Sequence, residues 1–244
     1  MSRFNGMIKL IENNKQPLVT LAIISYNQEQ FIHEAVESAL SQTYEPMELV
    51  ISDDASTDKT FEIICKIKAD YKGPHKITTN KNRINCGLAQ NLNVVLSLSE
   101  GNIICWAAGD DISLPGKIEE LVFPLIKDSS LSATHSFVNE IDINGNFLRI
   151  RCPSVPSLIN SPEKVIRESI EIISQSHAFR RDVYDQFGPF GKAVSNEGPV
   201  MAFRDACMGG ILLIKKPLTA YRVGVGVSTI RGQSVEELSI LEPL

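Results

Sequence analysis

Ile103-Ile104-Cys105-Trp106-Ala107-Ala108-Gly109-Asp110-Asp111 is an apolar run that stops abruptly in two adjacent carboxylates. Six apolar residues at this density fit a strand covered on both faces. Two acids side by side at its C-terminal end repel each other unless a cation lies between them. The plainer alternative is a solvated turn, with Gly109 supplying the bend and Asp111 capping the next helix. The flanking sequence decides between them.

Upstream, the same arrangement occurs twice more. Leu18 to Ser25 is continuously apolar and β-branched and ends at Ser25-Tyr26-Asn27. Met47 to Ser52 is a second such strand, ending at Asp53-Asp54. Between the strands, Glu29 to Gln42 places Phe31, Ile32, Ala35, Val36, Ala39 and Leu40 on one helical stripe. A helix started by Ser56 to Asp58 runs through Asp70, with Phe61, Ile64, Cys65 and Ile67 at helical spacing. Lys76 to Thr79 reads as a short strand after the Gly73-Pro74 break, and Leu88 to Leu98 as a third helix closed by Gly101. Strands alternating with helices of this length predict right-handed crossovers and a mostly parallel sheet. Ligands of such sheets bind at the C-terminal strand ends. The polar clusters Ser25-Tyr26-Asn27, Asp53-Asp54 and Asp110-Asp111 would all meet there.

Downstream the alternation stops. Pro115 stands near the start of a helix reaching Lys127, with Pro124 inside it. Leu131 to Ile141 and Asn146 to Ile150 read as strands joined at Asn144-Gly145. Prolines and serines from Arg151 to Pro162 mark a loop. Helices are expected over Glu163 to Ile173, Asp182 to Phe187 and Gly198 to Met208, and a last short strand over Ile211 to Ile214. The expected organisation is an N-terminal extension (1–16), an α/β half (17–127) and a smaller α+β half (128–244) packed across the crevice.

Composition narrows the partners. A net charge of −5 argues against nucleic acid, which calls for a basic face. The five cysteines are odd in number and scattered, without zinc spacing, which fits a reducing compartment. Residues Met1 to Gln16 lack the apolar core of a signal peptide, and no stretch approaches the ~20 apolar residues of a membrane span. A cytoplasmic protein, at most peripheral at the membrane's inner face, is expected.

The motifs, taken in order, resemble family 2 glycosyltransferases of the GT-A fold, the inverting, nucleotide-sugar-dependent enzymes of polysaccharide, O-antigen and capsule assembly. The resemblance runs from roughly Pro17 to Ser228. It is carried by Ile23-Ile24-Ser25-Tyr26-Asn27, Glu37-Ser38-Ala39-Leu40-Ser41-Gln42-Thr43-Tyr44, Ser52-Asp53-Asp54-Ala55-Ser56-Thr57-Asp58, Asn85-Cys86-Gly87 with Asn91 and Asn93, Gly109-Asp110-Asp111, and Lys216-Pro217-Leu218 before Tyr221-Arg222.

That resemblance implies a donor site for a UDP- or dTDP-sugar formed by Ser25, Tyr26, Asn27, Asp53, Asp54, Arg83, Asn85 and Asp110. One carboxylate of Asp53-Asp54 would accept from the base N–H or the ribose hydroxyls, and an Asx turn capping the next helix stays open for the same residues. Asp110 and Asp111 would hold Mg²⁺ or Mn²⁺, with Ala108 standing where many members have a further Asp. Glu197 would be the base that takes the acceptor hydroxyl's proton, since Gly198 replaces the usual Asp; Asp205, expected to face solvent, is the fallback. Ser176 to Arg181 would line the acceptor side, and Tyr221-Arg222-Val223-Gly224 lacks the family's histidine. The acceptor would be a saccharide, with a lipid-linked form and self-association both compatible. Two competitors remain: a catalytically degenerate binding or scaffold homologue, and a sugar-phosphate nucleotidyltransferase. The latter lacks support because Ser25-Tyr26-Asn27-Gln28 is not a Gly-rich phosphate loop.

Overall fold

The computed structural model describes residues 16–225, so all but one residue of the expected N-terminal extension lies outside the described residues. The chain opens with β1 (Val19–Ser25), α1 (Ile32–Leu40), β2 (Met47–Asp53), α2 (Thr60–Asp70), β3 (Lys76–Lys81), α3 (Leu88–Leu98) and β4 (Ile103–Ala108). It continues with β5 (Ile112–Ser113), α4 (Lys117–Lys127), β6 (Leu131–Ile141), β7 (Phe147–Arg151), β8 (Leu158–Ile159), α5 (Pro162–Arg167), a 3₁₀ turn (Ser174–Ser176), β9 (His177–Arg180), α6 (Arg181–Phe187), α7 (Gly198–Met208) and β10 (Gly210–Arg222).

One sheet runs through all of it, in the order β3-β2-β1-β4-β9-β6-β10-β5, with β7 on β6 and β8 on β10. The first four strands are parallel, as their buried β-branched runs require. β9 pairs antiparallel to β4, Cys105 opposite Ala178, and again to β6. The C-terminal strands therefore extend the parallel part of the sheet edge to edge instead of lying across its crevice. Two apolar clusters cover the faces: one gathers α1, α2 and α4 on the side of Leu21, Ile23 and Cys105, the other α3 and α7 on the side of Ala22, Ile104 and Trp106.

Two expected elements differ. α5 ends at Arg167 instead of reaching Ile173, because Ser169 turns left-handed (φ 49°) and the following Ile170, Ile172 and Ile173 are buried in the core. Their spacing, which looked helical, belongs to an irregular segment. β10 covers thirteen residues rather than four. The strand continues through Lys215-Lys216-Pro217 by register shifts against β6 on both sides of Pro217, the setting in which a strand tolerates proline.

The sheet centre also buries titratable side chains. His135 and His177 face each other across β6 and β9, both fully buried, and His177 Nε2 lies 2.8 Å from Asp205 Oδ2. Burial, with His177 alongside, pushes the His135 imidazolium down to about 3. The unfolded chain binds that proton near pH ~6.5, so the folded state holds fewer protons between those values. The contribution is complete above pH ~6.5 and drains as pH falls, by about 1.4 kcal/mol per pH unit. His135→Leu should flatten this limb. In urea titrations, wild type is expected to lose about 3 kcal/mol more than the variant between pH ~6.5 and ~4.5; equal losses refute the assignment. The Asp205 carboxyl, raised by burial, shifts in the opposite sense in both proteins.

Candidate active site

The three strand ends meet at the carboxyl edge of the parallel strands. The β1 and β2 ends are joined by Asp53, whose Oδ1 accepts from the Ser25 hydroxyl at 3.3 Å and from Ser56 Oγ, while Oδ2 accepts the Ser56 N–H at 2.9 Å. Ser56 Oγ accepts the Asn27 N–H at 2.8 Å, and Asn27 Oδ1 accepts the Thr57 N–H at 2.9 Å. Asn27 and Ala55 both adopt left-handed φ, 52° and 60°. Asp53 thus closes a turn with Ser56 but does not cap α2, whose N-cap Lys59 makes no side-chain cap bond. Asp58 Oδ1 accepts the Thr60 N–H at 2.9 Å at the start of α2.

Asp54 performs a different task. Its Oδ1 accepts from Asn82 Nδ2 (2.8 Å) and Cys86 N–H (2.9 Å), and its Oδ2 from Gly87 N–H (2.8 Å). It pins the loop that carries Arg83 and Asn85 before α3. Arg83 and Asn85 are exposed, Asn85 Oδ1 accepting only the Gly87 N–H at 3.1 Å; Tyr26 is half-buried with no side-chain partner among the described residues. The structure therefore gathers Ser25, Asn27 and Asp53 into one network and leaves Tyr26, Arg83 and Asn85 free along its rim.

Gly109 follows β4 and donates to Ile24 O at 3.0 Å. A Cβ there would lie 2.3 Å from Gln28 Oε1, 2.9 Å from Ile32 Cδ1 and 3.0 Å from Ser25 Cβ, so a side chain would force Gln28, Ile32 and the end of β1 to shift. Gly109→Ala should cost about 1–3 kcal/mol of stability and spread the crevice. A denaturant titration together with nucleotide affinity would check both effects; an unchanged protein refutes the close-approach reading.

Asp110 and Asp111 are almost completely buried. Asp111 Oδ1 accepts the Arg222 N–H at 2.8 Å, but Asp111 Oδ2 is buried without a partner among the described residues. Burial raises Asp110, and burial together with the Asp110 charge raises Asp111 well above the ordinary carboxylate range. An orphaned carboxylate oxygen beside a second carboxyl fits a divalent cation. Among the described residues no group of three or more His, Cys, Asp or Glu could hold a metal, so any such ion would take its other ligands from outside the chain.

Two basic residues frame the pair. Arg222, at the end of β10, donates through Nε to Asp110 O (3.0 Å), through Nη1 to Asp142 O and Ile143 O, and through Nη2 to Glu34 Oε2 (2.8 Å), and its guanidinium lies 4.7 Å from the Phe31 ring centroid. It ties the acidic turn, the β6–β7 hairpin and α1 together. Lys117 is fully buried at the start of α4. Its Nζ donates to Trp106 O (3.1 Å) and Gln175 O (2.8 Å), and burial lowers it to about 8. Lys117 was not anticipated: a lysine at a helix start reads as solvated, and only the tertiary fold shows two carbonyls converging on it. Gln28, which contacts Asp110, was missed likewise.

Glu197 caps α7 without bonding its amides; it is 7% exposed, and its carboxylate has no partner among the described residues. Any side chain at Gly198 would place its Cβ 2.7 Å from Ile172 O, which explains why the neighbouring Asp of the resemblance cannot stand here. Asp205 does not face solvent as expected: it is fully buried against His177. His177 to Arg180 are likewise buried in β9, and the Arg180 guanidinium serves Leu131 O and Asp128 O.

Comparison with known proteins agrees with this architecture. Putative glycosyltransferase EpsE of Bacillus subtilis is 40% identical over 109 residues, and the Escherichia coli UDP-Glc:alpha-D-GlcNAc-diphosphoundecaprenol beta-1,3-glucosyltransferase WfaP 39% over 105. These matches span 45% and 43% of this chain but only 38% and 40% of those proteins' lengths. Among solved structures, S. aureus TarS 1-349 in complex with UDP-GlcNAc superposes with a TM-score of 0.69 at 17% identity, covering 92% of this chain and 66% of that one. The mannosyltransferase PcManGT of Pyrobaculum calidifontis, in complex with GDP-Man and Mn2+, gives 0.66 at 16% identity, covering 100% and 74%. At these identities the likeness establishes the shared GT-A fold. Residues 20–188 match the family described as Glycosyl transferase family 2, which is more than half the chain, and this chain belongs to that family.

Proposed function

We propose that this chain transfers a sugar from a UDP- or dTDP-linked donor to a saccharide acceptor in cell-surface polysaccharide synthesis, by a single in-line displacement with inversion. The observation that carries the proposal is Asp111 Oδ2, a buried oxygen without a partner beside Asp110 at the crevice where three strand ends meet. Relatives named for UDP-sugar transfer, and fold neighbours bound to UDP-GlcNAc or to GDP-Man with Mn2+, support the same reading.

In this mechanism Ser25, Tyr26, Asn27 and the rim residues Arg83 and Asn85 receive the nucleoside. Asp53 and Asp54 hold the two walls, since their oxygens already accept internal donors. Asp110 and Asp111 would hold Mg²⁺ or Mn²⁺, which when bound supplies Lewis-acid assistance to the departing diphosphate. Arg222 and Lys117 fix the acidic turn against the rest of the fold. Glu197, unpartnered, takes the proton from the acceptor hydroxyl.

No helix among the described residues is long and apolar enough to cross a membrane. Action at the inner face of the cytoplasmic membrane, on a lipid-linked acceptor, belongs to the same proposal. A panel of nucleotide sugars, with and without Mn²⁺, tests the proposal through metal-dependent donor hydrolysis. Turnover of a UDP- or dTDP-sugar is expected. Nucleotide binding without turnover of any donor favours a scaffold, and pyrophosphate release from a nucleoside triphosphate with a sugar phosphate favours nucleotidyl transfer.

A further inference from the structure

Gln28 lies between the end of β1 and the start of α1, and its backbone is fully used. The N–H donates to Thr60 Oγ1 at 2.7 Å, and the carbonyl accepts the Phe31 and Ile32 N–H groups, each at 2.9 Å. These bonds fix the residue to the first residue of α2 and to the first turn of α1, so its side chain leaves a rigid mount. The side chain is buried, the residue being 9% exposed, and its amide donates a hydrogen bond to the Asp110 carboxyl. The other end of the amide is unused: Oε1 is buried without a partner among the described residues.

The neighbours fix which way the amide points. A Cβ on Gly109 would lie 2.3 Å from Oε1, so this oxygen sits against the backbone that leads into Asp110. Turning the amide over would set Oε1 against the Asp110 carboxylate, acceptor to acceptor. A glutamine that served only to support Asp110 would gain nothing from an acceptor shut away from donors, which is unfavourable in itself. Asp111 Oδ2 is in the same condition one residue beyond Asp110. The two orphaned oxygens differ in kind. The charged one suits a cation directly, whereas the neutral amide oxygen suits an O–H polarised by that cation.

We infer that Gln28 is a further positioning residue of the cation seat: Nε2 orients Asp110, and Oε1 accepts a hydrogen bond from an O–H group that arrives with the ion. That group is a water of the ion's hydration shell or a hydroxyl of the nucleotide. Mg²⁺ and Mn²⁺ keep several waters when few protein carboxylates hold them. Groups that orient ligands and their surroundings change metal affinity by about 10–100-fold when removed. The inference rests on the transferase reading and adds to it a neutral residue that acts through Asp110.

The test titrates the full chain with Mn²⁺, read by the paramagnetic resonance of the free ion, alone and with saturating UDP. Gln28→Met keeps the length and burial of the side chain and removes both polar atoms; it should weaken Mn²⁺ binding about tenfold. Gln28→Glu keeps an acceptor in place of Oε1. It should bind Mn²⁺ at least as tightly as wild type and melt lower in EDTA, because a third carboxylate joins the pair. Weakening by Gln28→Met with Mn²⁺ alone assigns the O–H to a water of the ion, and weakening only with UDP assigns it to a nucleotide hydroxyl. Gln28→Met binding like wild type in both arms, or Gln28→Glu binding as weakly as Gln28→Met, overturns the inference. If Gln28→Met does not fold, Gln28→Asn, whose amide stops one methylene short of Asp110, carries the same expectation. Melting curves in EDTA give a readout without the ion: Gln28→Met and Asp110→Asn act on one hydrogen bond, so their shifts should not add, and additive shifts overturn the role of Nε2. Wild type binding no Mn²⁺ in either arm would count against the transferase reading and remove the role of Oε1, while the EDTA curves would still decide whether Gln28 orients Asp110.

Discussion

Asp111→Asn is expected to remove metal-dependent transfer, lowering turnover by about 10²–10³ or more, while making the metal-free protein more stable. The two outcomes follow from the same atoms. Asp111 Oδ1 accepts the Arg222 N–H, a bond an amide oxygen keeps. Oδ2 is buried without a partner, next to the buried Asp110 carboxyl, and burial and that neighbour together hold Asp111 far above its ordinary range. Removing one charge relieves an unfavourable pair, a gain of about 1–3 kcal/mol that should raise the melting temperature of the chelator-treated protein. It also removes half of the anionic seat for a divalent cation. A variant that melts higher than wild type without metal, gains nothing from added Mn²⁺ and turns over no donor would show that this acidic turn is strained for function. A variant that melts lower, or keeps its metal response, would place the cation elsewhere.

How far the sequence reveals this site depends on which interactions are local. β1, β2, β4 and the helices between them follow from apolar periodicity, because each buries a face dictated by spacing alone; α3 and α7 begin and end where that spacing predicts. The acidic turn is legible because two carboxylates after a buried strand are expensive. Arg222, Lys117 and Gln28 are not legible as site residues. Their partners are backbone carbonyls or side chains far along the chain, Arg222 meeting Asp110 O and Lys117 meeting Gln175 O, and a carbonyl carries no residue-type signature. The same holds for β10, whose bulge around Pro217 is set by β6, and for the Glu168–Ile173 segment, whose isoleucines suit a helix or a buried irregular run equally well. Asp205 misleads for a related reason. An acid within a helix ordinarily faces water, and only the antiparallel placement of β9 brings His177 to it.

That placement bears on the acceptor-side base and on the second large effect. Asp205 is fully buried against His177, so it has no route to an acceptor hydroxyl, and Asp205→Ala should cost stability by leaving the imidazole unpaired. The position after Glu197 is closed to any side chain by Ile172 O. Glu197 is then the carboxylate that the start of α7 can offer, and having no partner among the described residues it can accept a proton. Glu197→Gln keeps the size and polarity of the group and removes its basicity. It should lower transfer by about 10²–10⁴, leaving UDP binding and the unfolding midpoint unchanged. Gly198→Asp should not rescue it, because the new side chain would have to displace the Ile172 carbonyl. If the Glu197→Gln enzyme transfers at a near-normal rate, the proton leaves by another path, and the Gly198→Asp variant becomes the informative one: gain of activity there would mean the Ile172 carbonyl yields and that the site had been waiting for its missing acid.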